Sequence, residues 1–140
     1  MNIKKDTYLK IINSFPVVPP EYGGIIGGKN NTITEFILDN SEIFTDRAKY
    51  VPNVEFINKQ IEEWYKSDID FYGIVHSHAY DDSLSSEDIK YIKRIMICAH
   101  ENIKELYFPI IIPNKCITFY KSAKIQNNVI ISKEKVIIKE

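Results

Sequence analysis

Cysteine is scarce in this sequence: Cys98 and Cys116 are the only two in 140 residues. They form no Cys-x-x-Cys motif and no disulfide framework, which fits a reducing compartment. Long apolar runs are missing too, since none follows Lys4 and Lys5, so neither a signal peptide nor a membrane span is expected. The net charge is only −1, so no strong overall field attracts nucleic acid or anionic membranes. We therefore expect a cytoplasmic protein without a nucleic-acid or membrane partner.

What is present is the composition of an ordinary globular protein, with 44% hydrophobic and 26% charged residues. A chain of this length can bury a real core, and we expect one domain over residues 1–140. Lysines are frequent toward the C-terminus, but Glu134 and Glu140 lie among them, as is typical of a solvated face. Richness in Ile, Lys and Asn suits an AT-rich bacterial source.

The most informative stretch begins with a buried strand. Residues 70–75 are apolar and aromatic, and the strand they predict leads into His76 and His78. Side chains on a strand alternate between faces, so the two imidazoles project together and Ser77 points the other way. Both imidazoles can reach one small cation, because imidazole nitrogen binds zinc at about 2.0–2.1 Å.

A helix is predicted after the polar loop that follows. Apolar residues recur at helical spacing, at Ile89, Ile92, Ile95, Met96 and Ala99. Asp88 lies at the N-terminal end of this inward face, and Ser85 lies one turn earlier on roughly the same side. Two histidines and an inward carboxylate provide three ligands and leave a fourth position for water. That pattern is typical of a catalytic zinc site, whereas a structural site has four protein ligands.

Each of these residues also has a simpler interpretation. A His-x-His pair occurs by chance in many proteins. Ser85 and Asp88 can form a helix N-cap close to a capping box. Asp81 and Asp82 can be solvated loop acids. The order of strand, paired histidines, loop, serine and helical aspartate favours a metal site.

This order resembles the metal-binding signature of the JAB/MPN domain in its JAMM metalloprotease form. That signature reads His-x-His, seven residues, Ser, two residues, Asp, and a Glu far upstream typically begins a Glu-x-x-Gly-Ile-x-x-Gly strand. Residues 21–28, EYGGIIGG, match that strand, and the resemblance covers about residues 20–120. It implies an α/β fold: a single JAB/MPN-like (cytidine-deaminase-like) domain with a central mixed sheet flanked by helices.

The loop departs from the family pattern in length. Six residues, not seven, separate His78 from Ser85. Ser86 would restore the spacing, but Ile89 would then occupy the aspartate position, and isoleucine cannot bind metal. We therefore infer a one-residue deletion in the loop and keep Ser85 and Asp88 as the matching residues.

Three further points stay open. Ala79 stands where the family usually has proline, which leaves the shape of the loop undetermined. Asp81 or Asp82 could serve as a substitute ligand. Composition and spacing alone would not choose between Glu21 and Glu35 as a catalytic acid or base.

The resemblance implies a role for each site residue. His76, His78 and Asp88 would bind Zn²⁺, Glu21 would act as the general base, and Ser85 would stabilise the oxyanion. It implies a zinc-dependent isopeptidase or peptidase that cleaves after the Gly-Gly tail of a ubiquitin-like or sulfur-carrier protein. An activating-enzyme homologue is a possible partner.

The tail could lie as an added extended segment beside the glycine-rich strand of residues 23–28, since glycine there suggests close backbone approach. Two alternatives remain. One is a non-catalytic MPN-type interaction scaffold, and the other is a zinc hydrolase of a small amide or thiocarboxylate adduct.

The remaining pattern completes an alternation of helices and strands. It predicts helices over residues 5–14, 53–66 and 86–100, a hairpin over 23–39, and further strands over 106–112, 116–120, 125–131 and 136–139. The inward face of the second helix is expected to comprise Val54, Ile57, Ile61, Trp64 and Tyr65. Pro109 indicates an edge position or a bulge, and His100 a surface or capping residue. An irregular connection is expected over 40–52.

Overall fold

The computed structural model describes residues 1–16, 20–39 and 50–140, so most of the predicted connection over 40–52 lies outside the described residues. The elements in chain order are β1 (Asn2–Lys4), α1 (Lys5–Ser14), β2 (Gly23–Lys29), β3 (Thr32–Leu38), α2 (Val54–Lys66), β4 (Asp70–Ser77), α3 (Ser86–Cys98), β5 (Glu105–Tyr107), β6 (Ile110–Ile112), β7 (Cys116–Ile125), β8 (Asn128–Glu134) and β9 (Ile137–Lys139).

A mixed sheet built from all of these strands forms the centre of the described structure. Strand β2 lies in its interior, antiparallel to β3 on one side and to β4 on the other. Next to β4 come β5 and β6, both parallel to it, and then β7 and β8. On the far side of β3 lie β1 and β9. The predicted α/β fold with a central mixed sheet flanked by helices is confirmed.

Helices cover both faces of the sheet. Ile25 and Ile26 are successive residues of β2, and both are fully buried because they point to opposite faces. Ile26 packs in a cluster with residues of α1, whereas Ile25 packs in a second cluster with residues of α2 and α3. In the described part of the chain, no helix combines the length and apolar character needed to cross a membrane.

Short polar signals set the boundaries of the hairpin and of α2. Asn30 and Asn31 have φ values of 52° and 60°, which fits the two-residue turn that tight hairpins favour. The Asn53 side chain accepts a hydrogen bond from the Phe56 N–H and so caps α2, as the sequence predicts. The cap begins the helix at Val54, and the Asn53 N–H donates to the carboxylate of Asp39, the residue after β3.

The predicted inward face of α2 is only partly right. Ile57 and Trp64 are buried, but Val54 is 65% exposed and Tyr65 is 84% exposed. Successive helix residues are rotated by about 100°, so Tyr65 turns away from the sheet when Trp64 faces it. Val54 stands at the first helical position, and Phe56 packs into the core in the same turn.

The C-terminal strands differ from their predicted boundaries. The predicted strand over 106–112 is divided into β5 and β6 by residues 108–109, and it lies inside the sheet between β4 and β7. Pro109 is therefore an interruption and not an edge residue, and its carbonyl oxygen accepts from the His76 N–H at 3.1 Å. The strand predicted over 125–131 corresponds to β8 but begins too early, because β7 continues to Ile125 and the chain turns at Gln126, where φ is 57°.

The sheet bends around α1. Strands β8 and β9 lie toward opposite ends of the strand order, yet only Lys135 and Val136 connect them. Val136 packs against the same buried cluster as Tyr8 of α1 and Ile117 of β7.

Gly73 is the contact point between β4 and β5. A Cβ atom at this position would lie 1.7 Å from the Tyr107 carbonyl oxygen, which is backbone and cannot rotate away. We expect Gly73→Ala to lower the free energy of unfolding by about 1–3 kcal/mol or more, as overpacking does. Urea denaturation measures this loss of stability. An unchanged denaturation midpoint would show that β4 and β5 do not approach each other as closely at Gly73 as described.

For Ser122 of β7 we expect a substitution to leave stability unchanged or to increase it. Its hydroxyl oxygen is buried and has no hydrogen-bond partner among the described residues. A buried hydroxyl without a partner costs about 1–3 kcal/mol, so we expect Ser122→Ala to be neutral or to stabilise the fold by about 1 kcal/mol. A clear loss of thermal stability would show that the hydroxyl is bonded in solution.

Candidate metal centre

Two imidazoles meet at the carboxyl end of β4. His76 lies opposite Gly23 of β2, and His78 follows the last strand residue. Their Nε2 atoms are 3.0 Å apart. Ser77 points to the other face, where its Oγ accepts from the Tyr22 N–H at 2.9 Å. The predicted alternation along this strand is confirmed.

Asp88 brings a carboxylate to the same point from the first turn of α3. Its Oδ1 is 3.3 Å from His76 Nε2, and its Oδ2 is 3.2 Å from His78 Nε2. One donor atom from each of the three side chains lies within 4.8 Å of the others, so the group could hold a metal ion. The structure thus brings together the three residues that the sequence predicts as ligands.

The simpler interpretation of Ser85 and Asp88 also holds. Ser85 Oγ accepts from the Asp88 N–H at 3.0 Å, and Asp88 Oδ2 accepts from the Ser85 N–H at 2.9 Å. This capping box satisfies two backbone donors at the start of α3. The two interpretations do not compete, because the capping bond fixes the carboxylate in the orientation that faces the histidines.

The loop between the histidines and α3 orients His78. His78 Nδ1 lies 2.9 Å from the Asp81 carbonyl oxygen, which can only accept, so Nδ1 carries the proton and Nε2 is left to bind. Metal-binding histidines generally make such an outer hydrogen bond. The Asp81 carboxylate accepts from the Ser83 N–H at 2.6 Å, and the Asp82 carboxylate accepts from the Thr118 hydroxyl. Both acids therefore shape the shortened loop, and neither belongs to the three-residue group.

The electrostatics of the three side chains favour a positive charge at this site. Burial raises the pKa of Asp88, but hydrogen bonds from His76 and His78 outweigh it and hold the pKa well below its ordinary value. The hydrogen bond to Asp88 raises the pKa of His78, and the charge of Glu21 adds to this shift. The carboxylate stays ionised, and the compensating positive charge comes either from a proton or from a metal cation.

The structure separates the two candidate acids. Glu21 lies two residues before the start of β2, and continuing the pairing of β2 with β4 places it opposite His78. Glu35 instead pairs with Gly27, which pairs in turn with Phe71. Five residues of strand, roughly 16 Å, separate Phe71 from the histidines. The fold therefore brings Glu21, and not Glu35, beside them.

The expectation that a substrate tail adds as an extended segment beside residues 23–28 is wrong. Strand β2 is paired on both sides, so no further strand can add to it. The space above its glycines is filled from within: a Cβ at Gly23 would meet the Tyr50 ring at 2.2 Å, and one at Gly27 would meet the Trp64 ring at 2.8 Å. These glycines let two aromatic rings rest directly on the backbone.

Sequence reasoning missed Asp39, which holds Tyr50 in that position. Its buried carboxylate accepts from the Tyr50 hydroxyl at 2.8 Å and from the Asn53 N–H at 3.0 Å. Burial, followed by this hydrogen bond, raises the pKa of Tyr50 far above its ordinary value. No local pattern distinguishes Asp39 from an ordinary acid at a hairpin end. His100 is placed as expected, with its Nδ1 accepting from the Asn102 N–H.

No protein-family model and no curated protein matches the sequence. Solved structures do match it. A JAB1/MPN domain protein from Archaeoglobus fulgidus is similar over 100% of both chains, with a TM-score of 0.53 and 17% sequence identity. The fold is MPN-like. Solution structures of proteins from Desulfitobacterium hafniense and Salinibacter ruber have TM-scores of 0.61 and 0.60 at 17% and 14% identity.

All three alignments cover the whole of this chain, and they cover 94% and 92% of the Desulfitobacterium and Salinibacter chains. At such identities the likeness shows the fold alone. The expected JAB/MPN-like architecture is therefore confirmed, and the chemistry of the MPN-like chain has to be argued from its own residues.

The third histidine provides a matched control for metal binding. We expect about one divalent metal ion per chain in the wild type and in His100→Ala, because His100 lies outside the group. His76→Ala and His78→Ala should lose the metal, since each removes a ligand. Elemental analysis of protein purified without chelator measures this, and full metal content in either of these two variants would contradict the assignment.

Proposed function

We propose that the chain is a zinc-dependent isopeptidase or peptidase of the JAMM type. It would cleave after the Gly-Gly tail of a ubiquitin-like or sulfur-carrier protein. The observation that supports this most strongly is the convergence of His76, His78 and Asp88 at the end of a buried strand, with Glu21 beside them in an MPN-like fold. An activating-enzyme homologue, which would join such a substrate to its target, is the functional partner that this activity implies.

The donor atoms fit zinc in both chemistry and spacing. Two imidazoles and a carboxylate are a donor set that zinc accepts, and its bonds of about 2.0–2.1 Å put neighbouring ligands about 3.3 Å apart in a tetrahedron. Here the two Nε2 atoms are 3.0 Å apart, and each lies 3.2–3.3 Å from a different oxygen of Asp88: Oδ1 for His76 and Oδ2 for His78. With one atom taken from each side chain, all three lie within 4.8 Å of one another. When bound, zinc would supply a Lewis acid and lower the pKa of a coordinated water from 15.7 to about 7.

Glu21 would carry out the proton transfers. It lies just before β2, the strand next to the histidines, and its charge contributes to the raised pKa of His78. It would take a proton from the attacking water and later deliver that proton to the leaving amine. Glu21 is not one of the three side chains whose donor atoms converge, so its carboxylate remains available for this role.

Ser85 would stabilise the oxygen that gains charge in the tetrahedral intermediate. Its Oγ accepts the capping bond from the Asp88 N–H, which leaves the hydroxyl proton available to donate. Losing one such donor typically raises the barrier by about 2.7–4 kcal/mol. A lone pair of Ser85 Oγ would therefore cap α3, while the hydroxyl proton would donate a hydrogen bond to the oxyanion.

The intact set of side chains supports an enzyme over a non-catalytic MPN-type scaffold, because a scaffold needs neither the paired histidines nor Glu21. A zinc hydrolase of a small amide or thiocarboxylate adduct would use the same residues. Only the substrate distinguishes that activity from cleavage after Gly-Gly.

The roles of Glu21 and Asp88 can be separated by substitution. Glu21→Gln should lower turnover of a Gly-Gly-ended ubiquitin-like fusion by about 10²–10⁴-fold, the usual contribution of general acid–base catalysis, with zinc content and melting temperature unchanged. Asp88→Asn should lose zinc and activity together. Glu35→Gln is the matched control and should behave as wild type.

Loss of zinc in Glu21→Gln would make Glu21 a ligand, and unchanged turnover would remove it as the base. A wild-type chain that binds zinc but cleaves no Gly-Gly fusion would contradict the proposed substrate and favour the small-adduct hydrolase or the scaffold.

The two roles of Ser85 can be separated in the same way. Glycine caps helices almost as well as serine, so Ser85→Gly should cost only a few tenths of a kcal/mol in unfolding free energy but should lose the hydroxyl donor. We expect turnover to fall by about 10²–10³-fold in Ser85→Gly and to be largely retained in Ser85→Thr. Comparable turnover in both variants would show that Ser85 acts only as a cap.

A further inference from the structure

A groove opens beside the metal centre, on the side of β4 opposite to Glu21. It is formed by the loop before α3, by α3 itself and by strands β7 and β8, and its main lining residues are Leu84, Ile89, Lys93, Tyr120, Ile131 and Lys133. Its volume is about 330 Å³, within the range of about 300–1,000 Å³ that is usual for ligand sites.

The groove is connected to the centre by direct contacts. Leu84 immediately precedes Ser85, the residue that caps α3. The Tyr120 hydroxyl donates to the Asp82 carbonyl oxygen at 2.9 Å, so the wall of the groove is bonded to the loop that orients His78. A molecule lying in the groove would therefore reach the site at the start of α3.

The groove combines an apolar floor with positive charge. Ile89 and Ile131 form part of the floor, and the side chains of Lys93 and Lys133 lie along it. Neither ammonium group lies within 4.0 Å of a carboxylate in the described ranges, although the charge of Lys133 helps to lower the pKa of the exposed Asp81. Lys121 of β7, by contrast, has its Nζ 3.1 Å from an oxygen of Glu134. Two unpaired ammonium groups favour an occupant with negative charge.

One wall of the groove is a free strand edge. Within the described part of the chain, β8 pairs with β7 and with no other strand. Ser132 and Lys133 both border the groove, and successive strand residues point to opposite faces, so the groove reaches the edge itself. The outward N–H and C=O groups there can pair with an added strand.

We propose that this groove binds an extended segment of the substrate protein, with alternating acidic and apolar side chains, as a strand added to β8. The free edge supplies backbone hydrogen bonds, the floor takes the apolar side chains, and Lys93 and Lys133 pair with the acidic ones. That the segment belongs to the substrate rests on the proposed function. The binding itself rests only on the groove.

The test uses a fluorescently labelled short peptide of alternating glutamate and valine, with binding to the full chain measured by anisotropy. We expect the Lys93→Glu/Lys133→Glu double variant to bind at least about tenfold more weakly than wild type. The matched control is Lys59→Glu/Lys104→Glu, which changes the net charge equally at residues outside the groove and should bind as wild type. Equal weakening in both double variants would overturn the proposal.

Two further experiments distinguish strand addition to β8 from binding by electrostatic attraction alone. A peptide of the same sequence with alternate backbone amides N-methylated on its strand-facing edge should lose binding, and chemical-shift changes on binding should centre on the methyl groups of Ile89 and Ile131. Undiminished binding of the methylated peptide, shifts centred elsewhere, or no binding of either peptide to wild type would overturn the proposal. The metal-free His76→Ala variant should bind the peptide as wild type, so failure of catalysis leaves this result standing.

Discussion

The arrangement of the site depends on one carboxylate. Asp88 Oδ2 accepts the Ser85 N–H and also faces His78, and Oδ1 faces His76. The same side chain therefore closes the first turn of α3 and joins that helix to the end of β4. Because the two histidines keep its pKa low, the carboxylate stays charged, and the contact between helix and strand is made through an anionic group in a partly buried setting.

The interior of the sheet places the remaining groups around that contact. Strand β2 can lie between β3 and β4 with aromatic rings directly on its backbone because Gly23 and Gly27 have no side chains. Its pairing with β4 sets Glu21 opposite His78, and the Tyr50 ring over Gly23 is held by Asp39. The backbone register of buried strands thus determines which acid lies beside the histidines.

Periodicity predicted the parts of the site that local geometry controls. The alternation of β4 was enough to pair His76 with His78, and helical spacing was enough to turn Asp88 inward. The choice between Glu21 and Glu35 depends on strand register, which is a long-range property that no local pattern contains. The same limitation explains Asp39, whose partners become its neighbours only when the chain folds.

Boundary errors in the fold have similar causes. The turn at Gln126 falls inside the strand predicted over 125–131, because apolar residues lie on both sides of it. Pro109 was assigned to an edge or a bulge because only its missing N–H could be considered. Strand β1 has three residues, too few for an alternation to be read. It is recognisable only from its partners β3 and β9.

That pairing of β1 has a kinetic consequence. Residues 2–4 are sandwiched between a strand at 32–38 and a strand at 137–139, so the edge of the sheet closes through contacts between distant parts of the chain. Contacts of such sequence separation form slowly, because the loop entropy is lost before the contact stabilises anything. During synthesis, β1 can pair with β3 early but would present an open edge until the residues of β9 emerge, while β2 and β4, which flank the candidate metal centre, can already pair.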